Sequence, residues 1–129
     1  MVTPSTAYQL LGGEPVVRAI VRRFYELMDT LPEAYGIRKM HPASLSGSEE
    51  KLYLFLTGWL GGPQLYVQKH GQPHLRARHL PFPIGSSERD QWMLCMRTAM
   101  EESIVDQALR ESLTKALADL ADFMRNQPG

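Results

Sequence analysis

Apolar side chains recur every three to four residues in four separate stretches of this 129-residue chain, and glycine or proline closes the first two before the next begins. That rhythm is the signature of amphipathic helices. The first stretch opens at Glu14-Pro15 and carries Val17, Ile20, Val21, Phe24, Leu27 and Met28, with proline where a helix tolerates it best, and it is expected to end near Pro32. Ser46-Gly-Ser-Glu49 has the spacing of a capping box ahead of Leu52, Phe55, Leu56 and Trp59, a second helix that stops at Gly61-Gly62-Pro63. Ser87 and Asp90 repeat the cap spacing before Trp92, Met96, Ala99 and Met100. Leu109, Leu113, Ala116, Leu117, Leu120, Phe123 and Met124 mark the fourth helix, and a loose tail is expected from Asn126. No segment alternates with period two long enough for a strand, so the expected fold is all-α.

The length fits one domain, residues 1–129, with a core from about residue 10 to about residue 125 and flexible ends. Lys plus Arg total 14 and Asp plus Glu total 14, which argues against a nucleic-acid or anionic-membrane surface. Cys95 is the single cysteine and cannot form an internal disulfide. With neither a signal-peptide pattern nor an apolar run of membrane length, the expected compartment is the cytoplasm.

The stretch from Gly61 to Ser86 is long and irregular for so small a domain, and such loops are more often functional than idle. Three of the four histidines lie in it: His70, His74 and His79. His70 and His74 have the spacing of a helical metal pair, but Gly71 and Pro73 between them oppose a continuous helix, which weakens a zinc reading. His79 ends a short helical run, and Leu80-Pro81-Phe82-Pro83 directly after it cannot continue the helix. An imidazole so placed either caps the helix, favoured by its dipole, or presents a fixed ring nitrogen to a ligand.

The pattern Gly71-x-Pro73-x-Leu75-Arg76-x-Arg78-His79-x-Pro81-Phe82-x-Ile84, with Glu88-Arg89-Asp90-x-Trp92 and Cys95-Met96 after it, resembles the signature of the group II truncated haemoglobins. Trp59-x-Gly61-Gly62-Pro63 and Arg23-Phe24-Tyr25 are similar to the same family. The resemblance spans most of the chain. It implies a two-over-two helical sandwich around one haem b (iron protoporphyrin IX), with His79 as the proximal iron ligand.

It also assigns roles that the residues alone leave open. Tyr25, by pattern an amphipathic boundary tyrosine, is placed on the distal side, where its phenol stabilises negative charge on a bound diatomic ligand. Trp92, by pattern a core residue, directs its indole N–H to the same ligand, and such a donor to a charged acceptor contributes roughly 1.5–3 kcal/mol. His41, in a turn before Pro42, lines the distal pocket. It is expected to donate a hydrogen bond to the ligand, with gating by protonation and coordination of the iron as a sixth ligand as the alternatives. Ser48 occupies the place where many globins carry a distal histidine, which opens a short route from solvent. Leu52, Phe55 and Leu56 wall the distal cavity, Phe82, Ile84 and Met96 pack on the proximal side, and for all six ordinary core packing explains the residue types equally well. Arg78 and Tyr66 fall near the haem propionates, whereas Arg76 is expected to face solvent.

The resemblance implies binding of dioxygen and other diatomics at a hydrogen-bonding distal site, with Tyr25, His41 and Trp92 as the ligand-stabilising set. A pocket so polar favours chemistry over transport: peroxide or NO detoxification in the manner of a peroxidase or an NO dioxygenase, or redox sensing, served by a separate reductase. The chain would act as a monomer or homodimer. The rivals are a haem-free helical interaction or regulatory module, with His79 a cap, and a non-haem metal protein using His70, His74 and His79; the latter lacks the paired Glu-x-x-His motifs of a di-iron bundle.

Overall fold

The computed structural model describes residues 6–128, and among them every regular element is helical. In chain order they are α1 (Ala7–Leu11), α2 (Glu14–Thr30), a 3₁₀ turn (Pro32–Ala34), α3 (Tyr35–Arg38), α4 (Ser46–Trp59), α5 (Leu65–His70), α6 (Leu75–His79), α7 (Ser86–Ser103) and α8 (Gln107–Phe123). The four periodic stretches are α2, α4, α7 and α8. α2 packs on α4, α7 packs on α8, and the two pairs meet mainly where α2 lies on α7. The two helices bury Val17, Ile20, Val21, Phe24 and Met28 on α2 and Met93, Cys95, Met96, Ala99 and Met100 on α7. Burying side chains of this size contributes roughly 1.5–3 kcal/mol apiece, which is what holds two helix pairs together without a disulfide. No described helix is long and apolar enough to cross a membrane.

Two cap readings are corrected by the structure. α4 begins on Ser46 itself, with Leu45 at the N-cap and no side-chain cap bond, so Ser46 and Glu49 form no capping box. At α7 the box starts two residues earlier than Ser87: Gly85 is the N-cap, and its N–H donates to the Glu88 carboxylate at 2.7 Å. Ser87 instead accepts from Gln91 Nε2 at 3.0 Å. Spacing alone cannot separate these registers, because Gly85 and Ser87 each have an acidic residue three positions on, Glu88 and Asp90 respectively.

α1 is not foreshadowed by periodicity, being a single turn closed by a reciprocal box between Thr6 and Gln9. It explains the glycine pair after α4. The Tyr8 N–H donates to the Leu60 carbonyl at 2.9 Å, and a Cβ on Gly62 would lie 2.8 Å from the Tyr8 ring. The turn from α4 into α5 therefore needs a residue without a side chain.

Candidate functional site

α6 is short and bears no buried residue. It is entered at His74, which adopts φ 46°, unusual for any residue but glycine, and it ends on His79 ahead of Pro81. The His79 Nδ1 lies 2.6 Å from the Leu75 carbonyl one turn back. A carbonyl oxygen can only accept, so Nδ1 carries the hydrogen and Nε2 keeps its lone pair. The segment that follows His79 presents apolar side chains: Leu80 is 56% and Phe82 41% exposed, and Ile84 is half-buried. A neutral imidazole fixed through Nδ1, with exposed aliphatic and aromatic neighbours, is a donor set that fits a haem, which offers one axial metal site and a flat apolar face.

The segment leaving His79 is tied to the end of the chain. Asn126 Nδ2 donates to the carbonyls of His79 at 3.2 Å and Phe82 at 2.9 Å, while its Oδ1 accepts from the Ile84 N–H at 2.9 Å. The backbone N–H groups of Asn126 and Gln127 both donate to the Ile84 carbonyl. Arg76 does not simply face solvent: Nη1 donates to the carbonyls of Phe123 at 2.6 Å and Arg125 at 2.9 Å. The segment expected as a loose tail is thus hydrogen-bonded at Asn126 and Gln127.

On α2, Tyr25 is buried beyond the half-burial expected and its hydroxyl donates to the backbone carbonyl of Ser48 at 3.2 Å. Burial pushes its phenol well above the ordinary tyrosine range, and the Glu49 carboxylate adds to the effect, so the hydroxyl stays a neutral donor. Its ring stands edge-on to Phe24 at 4.9 Å and to His41 at 6.1 Å. Phe24, wholly buried, also meets Trp92 of α7 at 5.1 Å. Tyr25 and Trp92, far apart in sequence, are brought against one phenylalanine, and His41 joins them through the Tyr25 ring. The Trp92 N–H has no hydrogen-bond acceptor among the described residues.

His41 sits just after α3, and its Nδ1 lies 2.8 Å from the Ile37 carbonyl. As at His79, the neutral ring holds its hydrogen on Nδ1 and offers Nε2 as an acceptor. Gln91 secures that arrangement from α7: its Oε1 accepts from the Ile37 N–H at 3.0 Å, and a Cβ on Gly36 would come within 2.7 Å of its amide.

Ser48 contributes its carbonyl, not its hydroxyl. Leu56 and Met96 are buried, and Leu52 and Phe55 are partly buried against the core. Tyr66, buried on α5, has Phe55 edge-on at 6.4 Å, His70 at 5.0 Å and the Arg78 guanidinium 5.9 Å from its ring centre. His70 therefore packs tilted against Tyr66, and α5 ends there ahead of Gly71 with φ 76°. Among the described residues no three His, Cys, Asp or Glu side chains converge on a point, so His70, His74 and His79 do not form a shared metal site.

Sequence reasoning missed Asn126, Gln91 and the carbonyl of Ser48. Gln91 adjoins Trp92, but no periodicity marks it, and the partners of Asn126 lie 42 to 47 residues away.

Comparison with known proteins bears on the same region. The family model for bacterial-like globins matches residues 6–126. The chain is 40% identical over 115 residues to the group 2 truncated hemoglobin YjbI of Bacillus subtilis, covering 89% of this chain and 85% of that protein. Its fold superposes on the group II 2-on-2 hemoglobin of Agrobacterium tumefaciens with a TM-score of 0.95 and 56% identity, covering 98% of each chain. The cold-adapted truncated hemoglobin of Pseudoalteromonas haloplanktis gives a TM-score of 0.93 at 45% identity, over 95% of this chain and 99% of the other.

Proposed function

The chain belongs to the bacterial-like globins and is a group II truncated haemoglobin with the two-over-two fold, a family built for haem-based ligand binding, and from that premise we propose that it binds dioxygen and related diatomics at a haem b held by His79. The observation that carries this reading is the 2.6 Å bond from His79 to the Leu75 carbonyl, which fixes the ring and leaves Nε2 free at the end of α6. When bound, the haem would supply an iron that takes up diatomic ligands, with His79 as the residue that holds it.

The chain's own residues set what happens on the other face. Tyr25 and Trp92 are neutral donors, and each stabilises negative charge that develops on a ligand beside them. His41 plays the opposite part. With its hydrogen committed to Ile37, the neutral ring would accept a proton through Nε2 or offer that nitrogen to a bound iron, and it would donate from Nε2 only as the imidazolium. Two donors and one base suit peroxide or NO detoxification, or redox sensing, better than reversible transport, with electrons drawn from a separate reductase. Arg78 and Tyr66 stand together where they would pair with the haem propionates.

An absorption spectrum tests the reading. Protein supplied with hemin should show a Soret band, and His79→Ala should lose most of it. A wild type that takes up no haem, or a His79→Ala protein with an unchanged spectrum, overturns it.

A further inference from the structure

We propose that the C-terminal tail is a clamp on the haem-holding histidine, with Asn126 and Arg76 as positioning residues for His79; this rests on the assignment of His79 made above. α6 lacks the usual means of holding a helix in place. With five residues it is far too short to be stable by itself, and none of its side chains is buried, so neither propensity nor core packing fixes where His79 stands. Polar bonds do. Arg76, inside α6, donates to two carbonyls at the end of α8, at 2.6 and 2.9 Å. Asn126, three residues beyond α8, turns its side-chain amide to the segment leaving α6: both donor bonds go to the carbonyls of His79 and Phe82, and its oxygen accepts from the Ile84 N–H as well as from Gln127 Nε2. Backbone bonds from Asn126 and Gln127 to the Ile84 carbonyl complete the seam.

The chemistry of the two residues explains their types. A guanidinium reaches two carbonyls at once from one edge, which an ammonium on a flexible stem does less well. A carboxamide is the smallest side chain that carries two donors beside an acceptor oxygen, and here both donors are used while the oxygen accepts from Ile84 and Gln127. The His79 carbonyl is the atom through which the tail acts: holding it, together with the Leu75 carbonyl on Nδ1, restricts both the backbone and the ring of the same residue.

The test compares wild type with Asn126→Ala, Asn126→Asp and Arg76→Gln, all loaded with haem. Asn126→Asp keeps an acceptor for the Ile84 N–H but cannot donate to His79 or Phe82, so it separates the donor role from the acceptor role. Expected for Asn126→Ala is a rise of about tenfold in the rate of haem transfer to excess apomyoglobin, the size of losing a partly exposed set of such bonds. Asn126→Asp should behave alike, and Arg76→Gln should move the rate in the same direction. The ferrous iron–histidine stretching band should shift in the Asn126 variants while the helical circular dichroism stays at the wild-type level. In the haem-free protein, hydrogen exchange of the Ile84 and Phe82 amides should quicken in Asn126→Ala, with α2 and α7 unchanged. Wild-type release rates and an unmoved band in all three variants overturn the clamp, even if Ile84 exchange quickens, because the tail would then order the loop without bearing on His79. A wild type that takes up no haem overturns the functional reading itself, and the clamp with it.

Discussion

Phe24 fixes how Tyr25 and Trp92 stand relative to one another. It is wholly buried and forms the common wall for Tyr25 at 4.9 Å and Trp92 at 5.1 Å. Removing its ring leaves a cavity that both neighbours border, and phenylalanine truncations in such cores cost about 3–5 kcal/mol. Phe24→Ala should lower the unfolding free energy by that amount in urea titration. A cost under about 1 kcal/mol would mean that α2 and α7 close over the gap. The residue types were legible: periodicity put Phe24 on the buried face of α2, and resemblance put Tyr25 and Trp92 near a ligand. Their meeting on one ring was not, since it depends on how α2 lies across α7.

At the scale of elements, the helices that bury apolar stripes could be read from the chain, and those built from local hydrogen bonds could not. α2 ends at Thr30 against an expected end near Pro32, and α6 spans the short run that His79 was expected to close. α1, α3 and α5 carry too few turns for a period to emerge. Caps were misplaced for a related reason, because a serine near a helix start has the same spacing signal whether or not it is the N-cap. The observed box at α7 gives a direct check. The Glu88 carboxylate accepts from the Gly85 N–H at 2.7 Å and lies in the first turn, where the helix dipole favours it. Glu88→Ala should cost about 1 kcal/mol of stability by thermal or urea denaturation, in keeping with the loss of other helix caps. Ser87→Ala, to which the spacing alone assigns that cost, should be close to neutral.

For the molecule as a whole, formal neutrality gives no pH trend, but two buried acids do. Burial raises the Cys95 thiol from its ordinary value near 9 to about 11, and burial, with a smaller push from Glu49, raises the Tyr25 phenol in the same direction. Both groups are neutral when protonated and are held so by the fold. Their contribution is complete below the unfolded values, and it is lost as pH rises toward the folded ones. Stability should therefore fall from about pH 9 upward, with the thiol's share gone by about pH 11. Urea midpoints between pH 8 and pH 11 measure this directly: Cys95→Ala should flatten the lower part of the decline and Tyr25→Phe the upper part. A slope identical in all three proteins would show that neither group drives it. Cys95 itself was readable only as a lone thiol; that it is wholly buried on α7 is a result of the packing.

The bond from the Tyr25 hydroxyl to the Ser48 carbonyl has a consequence for choosing among diatomics. A phenol has one hydrogen to give, so a guest molecule obtains it only by outcompeting a peptide oxygen that already holds it. Under the proposed function, a guest that is a strong acceptor would compete, whereas a feeble acceptor such as carbon monoxide would leave the hydroxyl where it is. The first turn of α4 would thus set a threshold of acceptor strength, and guests below it would be held without help from the phenol.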